Sequence, residues 1–361
     1  MVRTSTIIIR TIARIIAVAA RISAIIFITV GVPLADPRGA ALAQGDIFVA
    51  DQSALGGQGA VIRIDPANGV QKSVAAGKLL IHPAGIAVDR SGRIFVAVPQ
   101  KPGRIVKVDA VTGAQESVSS GGLFSCPTGV ALANADLIVA DPCAKMVIRV
   151  YHRTGGQKAV SSGGKFAFPQ NVRVAKDGSI IVADRDALGG AGAIIRLDSR
   201  TGAQTVMSSG ENLLNPTDVA LDAKGRLLIA DFNSFACGPG GYSGAGAGAI
   251  LRLAILPLVR SAGAPSRADP LQPGQSLVSC DRLFQNNGPY GIATETDGKI
   301  LVTATTGDAN PAGAPRRTPT NSYSYGAVGQ VIRIDPATGA QTKLSSAGLL
   351  AAPIGIDVLR R

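Results

Sequence analysis

The chain has 361 residues, 46% of them apolar and 17% charged, enough to bury a large core in one closed domain. Forty-four glycines against five tyrosines, nine phenylalanines and no tryptophan point to many tight turns and little aromatic packing. The formal charge of +12 is spread along the chain without any run of five basic residues, which excludes a nucleic-acid partner read through a basic, aromatic-lined stripe.

The N-terminal segment differs from the rest. Arg3, Arg10, Arg14 and Arg21 precede an uncharged run from Ile22 to Ala35, and Ala41-Leu42-Ala43 supplies a small-x-small cleavage pattern before Gln44. A basic start, a short apolar stretch and such a site make residues 1–43 a signal peptide, with residues 44–361 as the exported domain. The alternative is an uncleaved anchor from about Ile15 to Ala35. That stretch is broken by Arg21, and its charge-free part is shorter than the roughly 20 residues a spanning helix needs. If the segment is cleaved, no stable membrane insertion remains. The segment holds five arginines and one acid, so the remainder carries +8. The expected location is periplasmic or secreted.

After residue 40 there is no long helical periodicity, and one unit recurs six times. It consists of an aliphatic strand, a D-P-x-T-G type turn, then Gln and a second strand. Val61 to Gln71 and Val331 to Gln341 are nearly identical copies; the other glutamines are Gln115, Gln157, Gln204 and Gln275. After each copy comes a Pro-led strand, starting at Pro83, Pro127, Pro169, Pro216, Pro289 or Pro353. The first five lead through a turn into a β-branched strand such as Ile180 to Asp184. Four short strands, a to d, thus repeat over 42 to 47 residues where nothing is inserted, the signature of propeller blades. The domain begins on a b strand near Asp46 and ends on a lone a strand, Ile354 to Val358. The two ends therefore complete blade one between them, and the expected fold is an all-β, six-bladed β-propeller closed by the C-terminal strand.

The pattern P-x-G-I-A-V-D-x-x-G-x-I-x-V-A-D resembles the NHL repeat over essentially all of residues 45–361. The wider group it resembles includes the gluconolactonase/senescence-marker family, the streptogramin B lyases and many non-catalytic binding propellers. The resemblance implies the fold and leaves function to be argued from a site.

The b–c and d–a loops share one face, where a propeller's ligand site normally lies. Length variation falls there: the b–c loops of blade five, Phe232 to Gly248, and of blade six, Thr306 to Gly329, are the longest. Such loops are either functional or tolerated insertions. The insertion from Pro257 to Pro273 lies on the opposite face. Near the channel, the third position of strand a is usually Gly but is Asn171 in blade four and Asp218 in blade five. The fifth is usually Ala but is Arg173 in blade four and Asp357 in blade one. Polar groups at such positions need partners: water, each other or a ligand. With His82, Gln170 and Tyr290 they make the candidate ligand-binding set. The repeated aspartates at strand ends (Asp51, Asp141, Asp184, Asp231) and at turn starts (Asp65, Asp109, Asp198, Asp335) read as backbone-capping groups.

Resemblance to the lactonases implies one divalent cation, whether calcium, magnesium, manganese or zinc, held by Glu, Asn and Asp at the channel top. Asn171 and Asp218 are its candidate ligands, but no Pro-led strand supplies the glutamate. The lyases rely on histidine, and of the two here His82 lies on the loop face while His152 lies on the other. Cys126 with Cys143, and Cys237 with Cys280, are neighbours in the blade scheme and expected disulfides. The leading expectation is a scaffold binding a small molecule or a protein on the b–c/d–a face. The alternative is a metal-dependent hydrolase or lyase using Asn171, Asp218 and His82. An envelope-structural role is a third.

Overall fold

The computed structural model describes residues 41–210, 212–234, 248–254, 274–280, 282–284, 288–306 and 328–360. Residues 1–40, the long loops of blades five and six, the Pro257–Pro273 insertion and Cys237 lie outside them. No described helix is long and apolar enough to cross a membrane. Residues 42–361 form one compact unit.

That unit contains six four-stranded antiparallel sheets, each a meander in which a pairs with b, b with c and c with d. The innermost strands are Pro353–Val358, Ile86–Val88, Gly129–Ala133, Pro169–Val174, Pro216–Leu221 and Ile292–Thr294 for blades one to six. Blade one is stitched from both ends as expected: Ile47–Asp51 pairs on one side with Ala60–Ile64 and on the other with Pro353–Val358. Every strand of that blade is therefore paired and the ring has no unfinished edge.

The b strands read as continuous apolar runs because both sheet faces are covered by neighbouring blades. Ile180–Asp184 and Leu227–Asp231 are wholly buried. The two faces feed different inter-blade layers. Phe48, Val61, Ile86, Val96 and Val106 fill the layer between blades one and two, whereas Ala87, Phe95, Ile105, Val130 and Val139 fill the next.

In three blades strand a starts later than its proline, at Ile86, Gly129 and Ile292. Proline brings no N–H to the ladder. The glycine that follows can bond outward instead: Gly85 N–H donates to Thr128 O of the next blade at 2.7 Å. A Cβ on Gly85 would lie 2.4 Å from that carbonyl, which explains glycine there. In blades one, four and five the first two residues pair through a bulge, so that Ile354, Gln170 and Thr217 have no partner in the ladder.

The repeat's glutamine has a structural task that spacing alone did not disclose. Gln157 accepts from Leu123 N–H at 2.6 Å and donates to Ser119 Oγ at 2.9 Å and to Gly121 O at 3.0 Å, all in the preceding blade. Ser119 Oγ in turn donates to Gly155 O. The same clip joins blade six to one through Gln71 and Ser345, and three to four through Gln204 and Ser161. Between blades one and two the serine is replaced by Ala75. There Gln115 keeps only Leu79 N–H and Ala76 O.

Candidate functional site

The strand-end aspartates are buried and bind backbone, as their repetition suggested. Asp51 accepts from Ala351, Ala352 and Ser53 N–H; Asp184 accepts from Ala167, Phe168 and Asp186. Each anchors the preceding d–a loop to its own b strand. Burial pushes the Asp51 and Asp184 carboxyls up, against the pull of those N–H groups, and takes Asp231 to about 7. At the turns the opposite holds: Thr112 N–H and hydroxyl keep Asp109 low.

The channel wall carries the residues that break the repeat. Asp218 is 1% exposed; Oδ1 accepts from Val219 N–H at 2.7 Å and Oδ2 from Ile292 N–H of blade six at 3.0 Å. The Arg173 guanidinium of blade four lies 3.6 Å from Oδ2. Arg173 also donates to Val219 O at 2.9 Å and to Ile292 O at 3.2 Å, so one side chain ties blade four to blades five and six. Burial raises Asp218 to about 6, the Arg173 charge and the two N–H groups opposing and the Asp357 carboxylate adding to it. Asp357 accepts from Val88 N–H of blade two at 2.8 Å and sits 3.8 Å from Arg360. Arg360 extends to Thr294 O of blade six. Asn171 is buried and its Oδ1 accepts from Val172 N–H at 2.8 Å.

The candidate set thus divides. Arg173, Asp218 and Asp357 share one electrostatic environment, and their partners are backbone groups of adjacent blades and one another's charges. Gln170 is half-buried at the bulge, and its Oε1 is buried without a donor among the described residues. Tyr290 is half-buried, its ring 5.4 Å from that of Phe232. His82 is exposed in the d–a loop, with a left-handed φ of 50°. The candidate metal pair, Asn171 and Asp218, has no third ligating side chain: among the described residues no three His, Cys, Asp or Glu side chains converge. Each Asp218 oxygen accepts one N–H, and the carboxylate is buried with the Arg173 guanidinium 3.6 Å away.

Residues outside the candidate set also build this wall. Thr128 and Thr217 hydroxyls donate to Gln170 O and Pro289 O of the next blades, and Thr303 donates to Ile354 O. Arg360 was passed over because it follows the last repeat position, where spacing carries no signal.

The loop face carries the disulfide Cys126–Cys143, with Cα atoms 5.5 Å apart, joining the d–a loop before blade three to that blade's b–c loop. Cys280 is likewise disulfide-bonded. On the same face, two b–c loops share the pattern D-x-[SD]-A-L-G-G-x-G-A, Asp51 to Ala60 in blade one and Asp184 to Ala193 in blade four. Each makes a single helical turn, Ala54–Gly57 or Ala187–Gly190, that places a leucine in the left-handed region, Leu55 at φ 54° and Leu188 at φ 52°. Both are exposed, at 43% and 50%.

No protein-family model matches the sequence, and no curated protein matches it in sequence. Among solved structures the chain is similar to one in the crystal structure of a nidogen/laminin complex, with a TM-score of 0.59 and 13% identity over 88% of this chain and 99% of that one. TolB from Acinetobacter baumannii is similar with a TM-score of 0.56 and 13% identity over 88% and 67% of the two chains. Virginiamycin B lyase from Staphylococcus aureus reaches a TM-score of only 0.48 at 13% identity, over 76% and 73%. At such identities the likeness to the first two reaches the fold and no further, and with its six four-stranded sheets the chain is a six-bladed β-propeller.

Proposed function

We propose that this propeller is an exported, NHL-like binding scaffold whose b–c/d–a face receives its partner, and that its channel is structural. One observation carries the reading: each charged side chain that breaks the repeat at the channel is consumed by neighbouring blades. Asp218 has both oxygens occupied and Arg173 beside it, and Asp357 is held by Val88 N–H. A general base must reach its substrate, whereas Asp218 is 1% exposed beside the Arg173 guanidinium and Asp357 is 8% exposed. The alternative, a hydrolase or lyase, draws on Asp218, whose carboxyl at about 6 titrates near neutral pH.

Turnover separates the two. The purified protein, supplied in turn with calcium, magnesium, manganese and zinc, is assayed on lactones and esters beside Asp218→Ala. The scaffold reading predicts no retained ion and no turnover that the substitution removes. About one ion per chain, with turnover lost in Asp218→Ala, would overturn it.

A further inference from the structure

The two faces of the ring differ in charge. On the described b–c and d–a loops, Lys78, Lys101, Lys145 and Lys165 are exposed, and none forms an ion pair among the described residues. Four carboxylates reach this face at strand ends, Asp51, Asp141, Asp184 and Asp231, and all are buried. Asp186, the other described acid on these loops, is held by Arg185 at 2.8 Å; Glu211, Asp281 and Asp308 lie outside the described residues. The turn aspartates lie on the opposite face, so among the described residues lysine on the loop face stands without a free compensating acid. The exposed large apolar side chains on these loops are aliphatic, Leu55, Ile81, Leu123 and Leu188, beside polar Gln58, His82 and Gln100. An open depression of about 600 Å³ lies beside Lys101, walled by Pro99, Gln100, Ser125 and the Cys126–Cys143 disulfide.

Resting on the scaffold reading above, we propose that the partner is an acidic protein segment that also carries aliphatic side chains. Uncompensated lysines attract carboxylates and steer their approach. Aliphatic side chains between them favour a polypeptide over a nucleic acid, whose bases would stack on exposed aromatics. A depression lined by a disulfide and a proline accepts a projecting side chain, whereas a lipid surface offers none. Leu55 and Leu188 add to the case. A left-handed backbone disfavours a branched side chain, yet the two opposed blades both hold leucine there in exposed positions.

The test is a titration of the purified protein with a labelled peptide rich in Glu and Leu, alongside its Gln-for-Glu counterpart, single-stranded DNA and phosphatidylglycerol vesicles. Binding of the acidic peptide should exceed that of the neutral one at least about tenfold and weaken with added salt. Combined reversal of Lys78, Lys101, Lys145 and Lys165 to Glu should abolish it. The same number of reversals on the other face, Arg90→Glu, Arg153→Glu, Lys176→Glu and Lys224→Glu, should change it less than about twofold. Leu55→Gly with Leu188→Gly, which relaxes the backbone and spares the fold, should weaken binding without changing its salt dependence.

Equal loss from both sets of reversals would overturn the proposal, as would DNA or vesicles binding as tightly as the peptide. If the peptide is ignored while cross-linkers on the loop face still capture a partner, the acidic chemistry falls and the scaffold reading survives. If neither probe finds a partner, both fall.

Discussion

Asp218 and Arg173 show how a residue that breaks a pattern acquires its meaning from its neighbours. Breaking a buried pair costs more than the pair contributes, because a charge is left without its partner. Arg173→Met should therefore cost about 3 kcal/mol at pH 8, where Asp218 is ionised, and clearly less at pH 5, where a carboxyl titrating at about 6 is protonated. Denaturant unfolding at the two pH values measures this, and equal losses would contradict it. The buried carboxyls also set the pH dependence of the whole fold. Asp231 at about 7 and Asp218 at about 6 hold protons in the native state that the unfolded chain, with carboxyls near 3.8, has already released. Their contribution to stability is complete below about pH 4 and is lost as pH rises through 6 to 7. Asp109, Asp198 and Asp335, held low chiefly by backbone N–H groups, act in the opposite sense below about pH 4. The melting temperature should then peak near pH 4 and fall as pH rises to about 7; a thermal scan with a flat or rising profile over that range would refute the assignment.

At the scale of the element, the repeat joins blades as well as shaping them. Gln157→Ala removes three hydrogen bonds to the preceding blade, whereas Gln115→Ala removes two at the interface where Ala75 replaces serine. Unfolding free energies should fall by about 2 kcal/mol for the first and about 1 kcal/mol for the second. A reversed order would mean that the clip does not act between blades. The a strands were legible in the sequence as Pro-led strands, and the positions of Asn171, Arg173, Asp218 and Asp357 on them were legible as departures from Gly and Ala. The partners of the three charged residues were not, because each reaches a backbone group on another blade, up to 269 residues away for Asp357 and Val88. Sequence period reports what repeats within a blade and is silent on contacts between unlike blades. The glutamine clip lay between these cases: its recurrence was visible, but its acceptor sat in the preceding unit. The left-handed leucines escaped notice because ALGG reads as a plain flexible loop until its backbone angles are known.

For the whole molecule, closure through the last strand was legible from the incomplete repeats at both ends, since a meander starting on b lacks the a strand that Pro353–Val358 supplies. Removing residues 353–361 would leave Ile47–Asp51 without its inner neighbour and take Asp357 from the channel. Such a chain should lose its cooperative thermal transition, whereas a circular permutant opened within a d–a loop and joined at the natural termini should keep it. The distribution of charge is also a whole-molecule property: Lys78, Lys101, Lys145 and Lys165, scattered along the chain, come to one face only because strand direction alternates within every blade. That face bears the central claim, and photo-cross-linking in the producing cell tests it most directly. Cross-linking side chains placed singly at Leu55, Leu123 and Leu188, and at Val70 and Val111 on the opposite face, are exposed to light and the adducts resolved by mass. Discrete adducts to one protein from the first three positions, and none from the other two, are the predicted result. Adducts from the opposite face alone, or from neither face, would contradict the account.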